Sequence, residues 1–483
     1  MASQTTSSPG PELVRRPRVR RAPADSQSRR AVASGTAGSI LEWFDFAVYG
    51  AMSATVFPVV FFSEMTGPVA LLASFATFGV GIFARPLGGI VFGHLGDRIG
   101  RRAVLLATFL LMGVSSAIIG LLPPYAQIGL LAPLLLVVMR FVQGVALGGE
   151  ATGAQLMTME HAPRDRRGFY SALMSLGSPA SQVIANLLLA LLTATLSDAD
   201  FFAWGWRLPF LLSLALVGVG IYIRLKVEET PIFREGVQEI DQKTSNPATV
   251  VRDHWRTMIR LIMCYSPIVV TFYVVSVYGI SYMTSHGLSR SESFTIVMIS
   301  NLLSVVAIVI GGRVADTWGR RNTLMAGGAG CLVASLVFFP VVDLQSFPLT
   351  LAVVAFALVS AQFGNAGFGA LFAEAFPTRV RYTGSALALT GANLIFAAPA
   401  PFLASWLTTI SGGSNLPITV IWLGIIVAAL VVLSRTSEGP TLEGEPQYFG
   451  RYVPVEFARA MLAAQEHEVA PAAGSTTTEG GRR

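Results

Sequence analysis

Six ionisable side chains fall within or at the edge of long apolar runs: Glu42, Asp45, Arg85, Arg140, Glu150 and, near a run's end, Glu374. Charge in an apolar run is costly, so each is a candidate for handling a proton or a polar solute. Asp45 lies ten residues in from Gly35, and Arg140 ten residues in from Leu130. At a helical rise of about 1.5 Å per residue, each stands about 15 Å from its end of the run. Half of a hydrocarbon core about 30 Å thick is also about 15 Å. An acid and a base therefore reach the same depth from opposite sides. Glu42 sits one turn before Asp45 on a similar face and is a second candidate for the same proton. Arg85 lies about 24 Å along its run, which suggests a structural role near the loop that follows.

Other chemistries find no support. A P-loop needs a lysine after a glycine-rich turn to reach phosphates. The two lysines, Lys226 and Lys243, follow no glycine. The five histidines are scattered without metal-ligand spacing. No enzyme activity, metal or cofactor is expected, and uphill work would have to draw on an ion gradient.

The elements that carry these side chains are legible in composition. The chain is 53% hydrophobic and only 13% charged, where a soluble protein carries roughly 25% charged residues. Charge is confined to short stretches between twelve apolar runs, near 36–62, 69–92, 103–122, 130–159, 168–196, 206–226, 257–283, 290–312, 322–342, 347–375, 382–410 and 416–434. Each is long enough to span a bilayer as a helix. The net charge of +6 is not a nucleic-acid footprint. Seven arginines lie between Arg15 and Arg30, and the even-numbered loops hold most of the rest, against Arg207 and Arg290 on the other side. Basic loops stay inside, so both termini are expected in the cytoplasm of a plasma (inner) membrane protein. Cys264 and Cys331 fall inside runs and imply no disulfide framework.

Two segments repeat, the first at an offset of 219 and the second at 214. GHLGDRIGRR at 93–102 matches GRVADTWGRR at 312–321, and E-x-x-P-x-x-x-R occurs at Glu160–Arg167 and at Glu374–Arg381. Each copy falls at the same point of a six-run half. The expected organisation is an all-α membrane protein of twelve transmembrane helices in two pseudo-symmetric halves. A cytoplasmic tail spans 1–34, the first half 35–226, a linker 227–256, the second half 257–436 and a second tail 437–483. Parallel repeats of this kind place a solute site at the midplane between the halves.

On these repeats the chain resembles the major facilitator superfamily. GSILEWFDFAVYG at 38–50, RPLGGIVFGHLGDRIGRR at 85–102, RFVQGVALGGE at 140–150, GWRLPF at 205–210 and EETPIF at 228–233 resemble its metabolite:proton symporter family. Ser39 departs from the asparagine frequent in that family, and Thr317 departs from Arg98 of the first repeat copy. The resemblance implies that Asp45 pairs with Arg140, as a first-helix Asp and a fourth-helix Arg do in proton-coupled sugar porters. Burial favours a neutral carboxylate and a neighbouring guanidinium an ionised one. A pair that opened and closed would couple a proton to conformation, whereas a static pair would only fix helix packing. The resemblance also implies a cytoplasmic charge network of Asp97, Arg101, Arg102, Glu160, Arg167, Asp316, Arg320, Arg321, Glu374 and Arg381, closed on one side of the cycle and parted on the other.

Solute contacts are less sharply marked. Gln143, Gln182, Asn186, Tyr273, Asn301, Gln362, Asn365 and Asn393 are polar positions in pore-facing runs, although buried amides also bridge helices. Gly144 and Gly148 suit close helix approach. The function expected is proton-coupled import of a small polar metabolite, an organic acid or a zwitterion, by a monomer in the lipid bilayer. A proton-independent facilitator or antiporter on the same fold, and a non-transporting membrane sensor, are the alternatives.

Overall fold

In hydrocarbon each backbone N–H and C=O must find its partner within the protein, which leaves helices and closed barrels as spanning structures. The computed structural model describes residues 26–99, 101–148, 166–226, 247–377 and 380–436, and every regular element among them is a helix. The first span is Ser26–Thr55, the second Gly67–Phe83 continued by Arg85–Ile99, and the third Arg101–Leu121. The fourth is Leu131–Gly148, the fifth Arg167–Ser175 with Gly177–Thr195, and the sixth Leu208–Lys226. The seventh runs through Pro247–Tyr273, Val274–Tyr278 and Gly279–Ser285; the eighth is Arg290–Trp318 and the ninth Arg320–Val342. The tenth joins Phe347–Asn365 to Phe368–Glu374, the eleventh joins Arg381–Ala392, Asn393–Ala397 and Ala400–Ile410, and the twelfth is Leu416–Ser434.

Two helices begin earlier than apolarity alone suggests. Ser26–Thr55 takes in the polar residues 26–34, and Pro247–Tyr273 begins inside the expected linker. There Arg252 and Asp253 remain exposed, and His254 kinks the helix at φ −122°. A helix that projects from the bilayer needs no apolar surface on that stretch. The eighth span starts where expected because Ser289 and Glu292 form a reciprocal capping box. Two of the first helical N–H groups are thereby satisfied.

The halves repeat each other in packing as they do in sequence. In the first, span 1 lies against 5 and 6, span 4 against 2 and 3, and span 3 against 6. In the second, span 7 lies against 11 and 12, span 10 against 8 and 9, and span 9 against 12. Across the interface, span 5 meets 8, span 2 meets 11 and span 1 meets 7. Spans 7 and 11 each contain one π-helical segment, Val274–Tyr278 and Asn393–Ala397. Such segments shift the register of the side chains around them and recur at functional sites.

Candidate functional site

Asp45 and Arg140 are both sealed inside the protein, at 1% and 0% exposure. The second and fourth spans approach closely enough to bring Arg140 there because glycine lines their contact. A side chain at Gly81 would strike the Arg140 guanidinium, and one at Gly144 would strike the carbonyl of Gly81. Arg140 then lies over the Tyr49 ring at 3.9 Å, with Phe46 at 5.0 Å and Phe78 at 5.3 Å. Cation–π contact of this kind gains strength where water is excluded.

The expected direct pair is not formed in this arrangement. Arg140 Nη1 donates to Gln143 Oε1 at 2.6 Å, and Gln143 Nε2 donates to Ser116 Oγ at 2.7 Å. Ser116, Ser213 and Gln143 flank the Asp45 carboxylate, and Arg140 acts on it through space. No salt-bridge contact within 4.0 Å links the two, and neither Asp45 oxygen has a hydrogen-bond partner among the described residues. Gln143, expected as a solute contact, is here the link from Arg140 to Ser116 beside the acid. Glu42 is half-buried one turn away and has a polar contact of its own.

A second cation shares this centre. Arg85 lies 4.9 Å from the centroid of Phe46, the ring that also carries Arg140. The second span runs to Ile99, past its expected end, which brings Arg85 nearer the helix middle than the count along the sequence suggests. From the opposite half, Tyr273 sets its ring edge-on to Phe46 at 5.8 Å. Its hydroxyl is buried without a partner among the described residues.

The remaining amides do not converge on this centre. Asn186 Nδ2 donates to Gln182 Oε1 at 2.9 Å within span 5. Asn301 and Asn393 donate to backbone carbonyls one turn back, Val297 and Leu389. In the second half, Tyr265 donates to Asn365, which donates to Gln362 at 2.8 Å. That chain is a separate polar cluster, with Tyr265 stacked on Phe368 at 4.6 Å.

At the end of the bundle where span 12 finishes, Asp316 of the eighth span accepts from the N–H groups of Gly168 and Phe169, at 2.6 and 2.9 Å. These are orphan donors in the first turn of Arg167–Ser175, where a carboxylate also meets the favourable end of the helix dipole. The contact joins the two halves. Arg320 pairs with Glu374 at 3.1 Å, and Arg321 donates to the carbonyls of Leu433 and Ser434 at the end of span 12. Arg167 opens the fifth span, and Arg381, at the head of the eleventh, has a polar contact of its own. Glu150 and Glu160 lie outside the described residues, and of Asp97, Arg101 and Arg102 only the backbone, at the facing ends of spans 2 and 3, is described. At the opposite end Arg290 meets Asp198 at 2.9 Å, again across the halves.

The family model of the Major Facilitator Superfamily matches residues 40–398. The chain belongs to that superfamily. It is similar to the inner membrane metabolite transport protein YhjE of Escherichia coli K12, at 37% identity over 80% of this chain and 89% of the relative. It is 33% identical to the shikimate transporter of the same organism, over 84% and 94% of the two chains. It is 31% identical to the E. coli K12 proline/betaine transporter, over 87% and 86%. The fold matches the crystal structure of the D-xylose-proton symporter with a TM-score of 0.67 at 19% identity, over 84% and 97% of the chains. This superfamily member is therefore a multi-pass membrane transporter, and its two repeated halves are the superfamily's architecture.

Sequence reasoning had missed Arg85, Phe46 and Ser116 as parts of the centre. Arg85 carried a signal, a buried-run cation directly before Pro86, which has no N–H to donate. Phe46 carried none, because one phenylalanine among 30 does not stand out.

Proposed function

We propose that this chain is a proton-coupled importer of a small polar metabolite, an organic acid or a zwitterion, working by alternating access in a plasma (inner) membrane. Its partners are the solute, protons and the bilayer, and it acts as a monomer. The observation that carries this reading is the Asp45 carboxylate, sealed between helices beside Arg140 and without a direct ion pair to it, while Arg140 is held by Gln143 and through it Ser116. An acid held this way, without a locked ion pair, is free to change protonation as the halves move. Glu42 is the second acid on the route. The relatives support the solute class, since shikimate, proline and betaine each carry a carboxylate.

The charges at the end where span 12 finishes serve as the gate on that side. Asp316 holds the first turn of span 5 while the halves are closed there, and Arg320, Glu374, Arg321 and Arg381 brace the second half around it. Asp97, Arg101, Arg102, Glu160 and Arg167 form the matching set of the first half. The arginine bias of these loops supports a cytoplasmic location for both termini. Purified protein in proteoliposomes decides between the readings. Inward symport alkalinises the external medium when solute is added, a facilitator moves solute without protons, and a sensor moves neither.

A further inference from the structure

We propose that Arg85 and Tyr273, set from opposite halves against the same Phe46 ring, form the seat for the carboxylate of the transported solute, while Arg140 serves the proton acid. This rests on the transport reading above and names the part of the solute that the site holds.

Three observations carry it. First, the centre contains two guanidinium groups, Arg85 and Arg140, each about 5 Å from the same ring. Arg140 is engaged with Gln143, faces Asp45 electrostatically and is wholly enclosed. Arg85 is only half-buried, and its Nε is sealed from solvent without a hydrogen-bond partner among the described residues. A buried cation donor left unmatched costs more than an ordinary hydrogen bond returns, so its persistence points to a partner that arrives from outside the fold.

Second, the Tyr273 hydroxyl is also sealed and unmatched, and it interacts electrostatically with Arg85. A guanidinium and a phenol are both donors to a carboxylate, and one oxygen pair can accept from both. Third, the helical hydrogen-bond ladder is altered beside both residues. Pro86, next to Arg85, has no N–H to donate, although Ala84 itself stays α-helical, and the π-helical segment of the seventh span begins directly after Tyr273. π-Helical segments recur at functional sites. Because Arg85 belongs to one half and Tyr273 to the other, a carboxylate between them would bridge the moving parts.

The test is binding by titration calorimetry to the purified full chain, with shikimate, proline, glycine betaine and benzoate as probes. Each probe is paired with its methyl ester or amide, and D-xylose serves as a neutral solute. The expected result is that at least one carboxylate binds and its ester or amide binds about 100-fold more weakly, with shikimate and benzoate giving neutral partners and proline and glycine betaine cationic ones. Arg85→Gln should lose about 100-fold and Tyr273→Phe about 10-fold for the same probe, with thermal unfolding near wild type. Arg85→Lys should recover part of the loss. Should Arg85→Gln prove unstable, Tyr273→Phe carries the test, because it removes one oxygen and no volume of consequence. Unchanged carboxylate affinity in the variants overturns the assignment, as does equal binding of acid and ester. If wild-type vesicles move D-xylose with protons and no carboxylate binds, the seat and the acid or zwitterion class are wrong, while proton-coupled transport stands. If carboxylates bind through Arg85 but no solute crosses the membrane, the seat stands and the transport reading falls.

Discussion

Gln143 takes a role that residue type alone does not reveal. A glutamine in a spanning helix could contact solute or bridge helices, and here it connects Arg140 to Ser116. Replacing it with leucine would leave the Arg140 Nη1 donor buried and unmatched, with Asp45 nearby and no donor to mediate. Gln143→Leu is expected to cost about 1–3 kcal/mol of stability, read as a lowered melting temperature in detergent, and to slow solute uptake. Unchanged melting and uptake together would remove Gln143 from the centre. The acid and the base were visible in the sequence because charge is rare in apolar runs. The link through Gln143 was not, since it depends on which face of span 3 meets span 4.

Helix ends and breaks decide more here than helix interiors do. Apolar runs located every span, because lipid imposes length and hydropathy on each one independently. The π-helical segments in spans 7 and 11 left no mark in composition, and the first begins directly after Tyr273. Likewise the repeated Gly-x-x-x-Asp motif marked Asp316 as a charged loop end, yet not that it would accept from the backbone N–H groups of another span. That contact makes a definite demand. Asp316→Asn keeps the shape but weakens two charge-assisted bonds, with an expected loss of about 1–3 kcal/mol in the closed arrangement of that end. Uptake should fall several-fold at normal expression, and a cysteine pair across spans 5 and 8 should cross-link less readily at that end. Wild-type uptake and cross-linking in Asp316→Asn would sink the gating role.

At the scale of the molecule, the two halves reproduce one packing scheme, and the buried centre lies where span 1 and span 2 of one meet span 7 of the other. The repeat was legible because both loop motifs were duplicated at matching positions. The orientation of that bundle is a separate matter of charge, and it has its own check. A reporter fused near residue 240 or at either terminus should read cytoplasmic, and one at Ser414 external; a cytoplasmic signal at Ser414 would break the orientation assigned here.

The proton-to-solute ratio in proteoliposomes, for wild type and for Asp45→Asn, tests the central claim most directly. Asparagine imitates the protonated acid permanently. With Asp45 as the carrier, wild type takes up protons in fixed proportion to solute, whereas the variant takes up none, loses accumulation against a gradient and still exchanges solute across the membrane. A ratio in Asp45→Asn equal to that of wild type would contradict the account and move the proton site elsewhere, with Glu42 the next acid to replace.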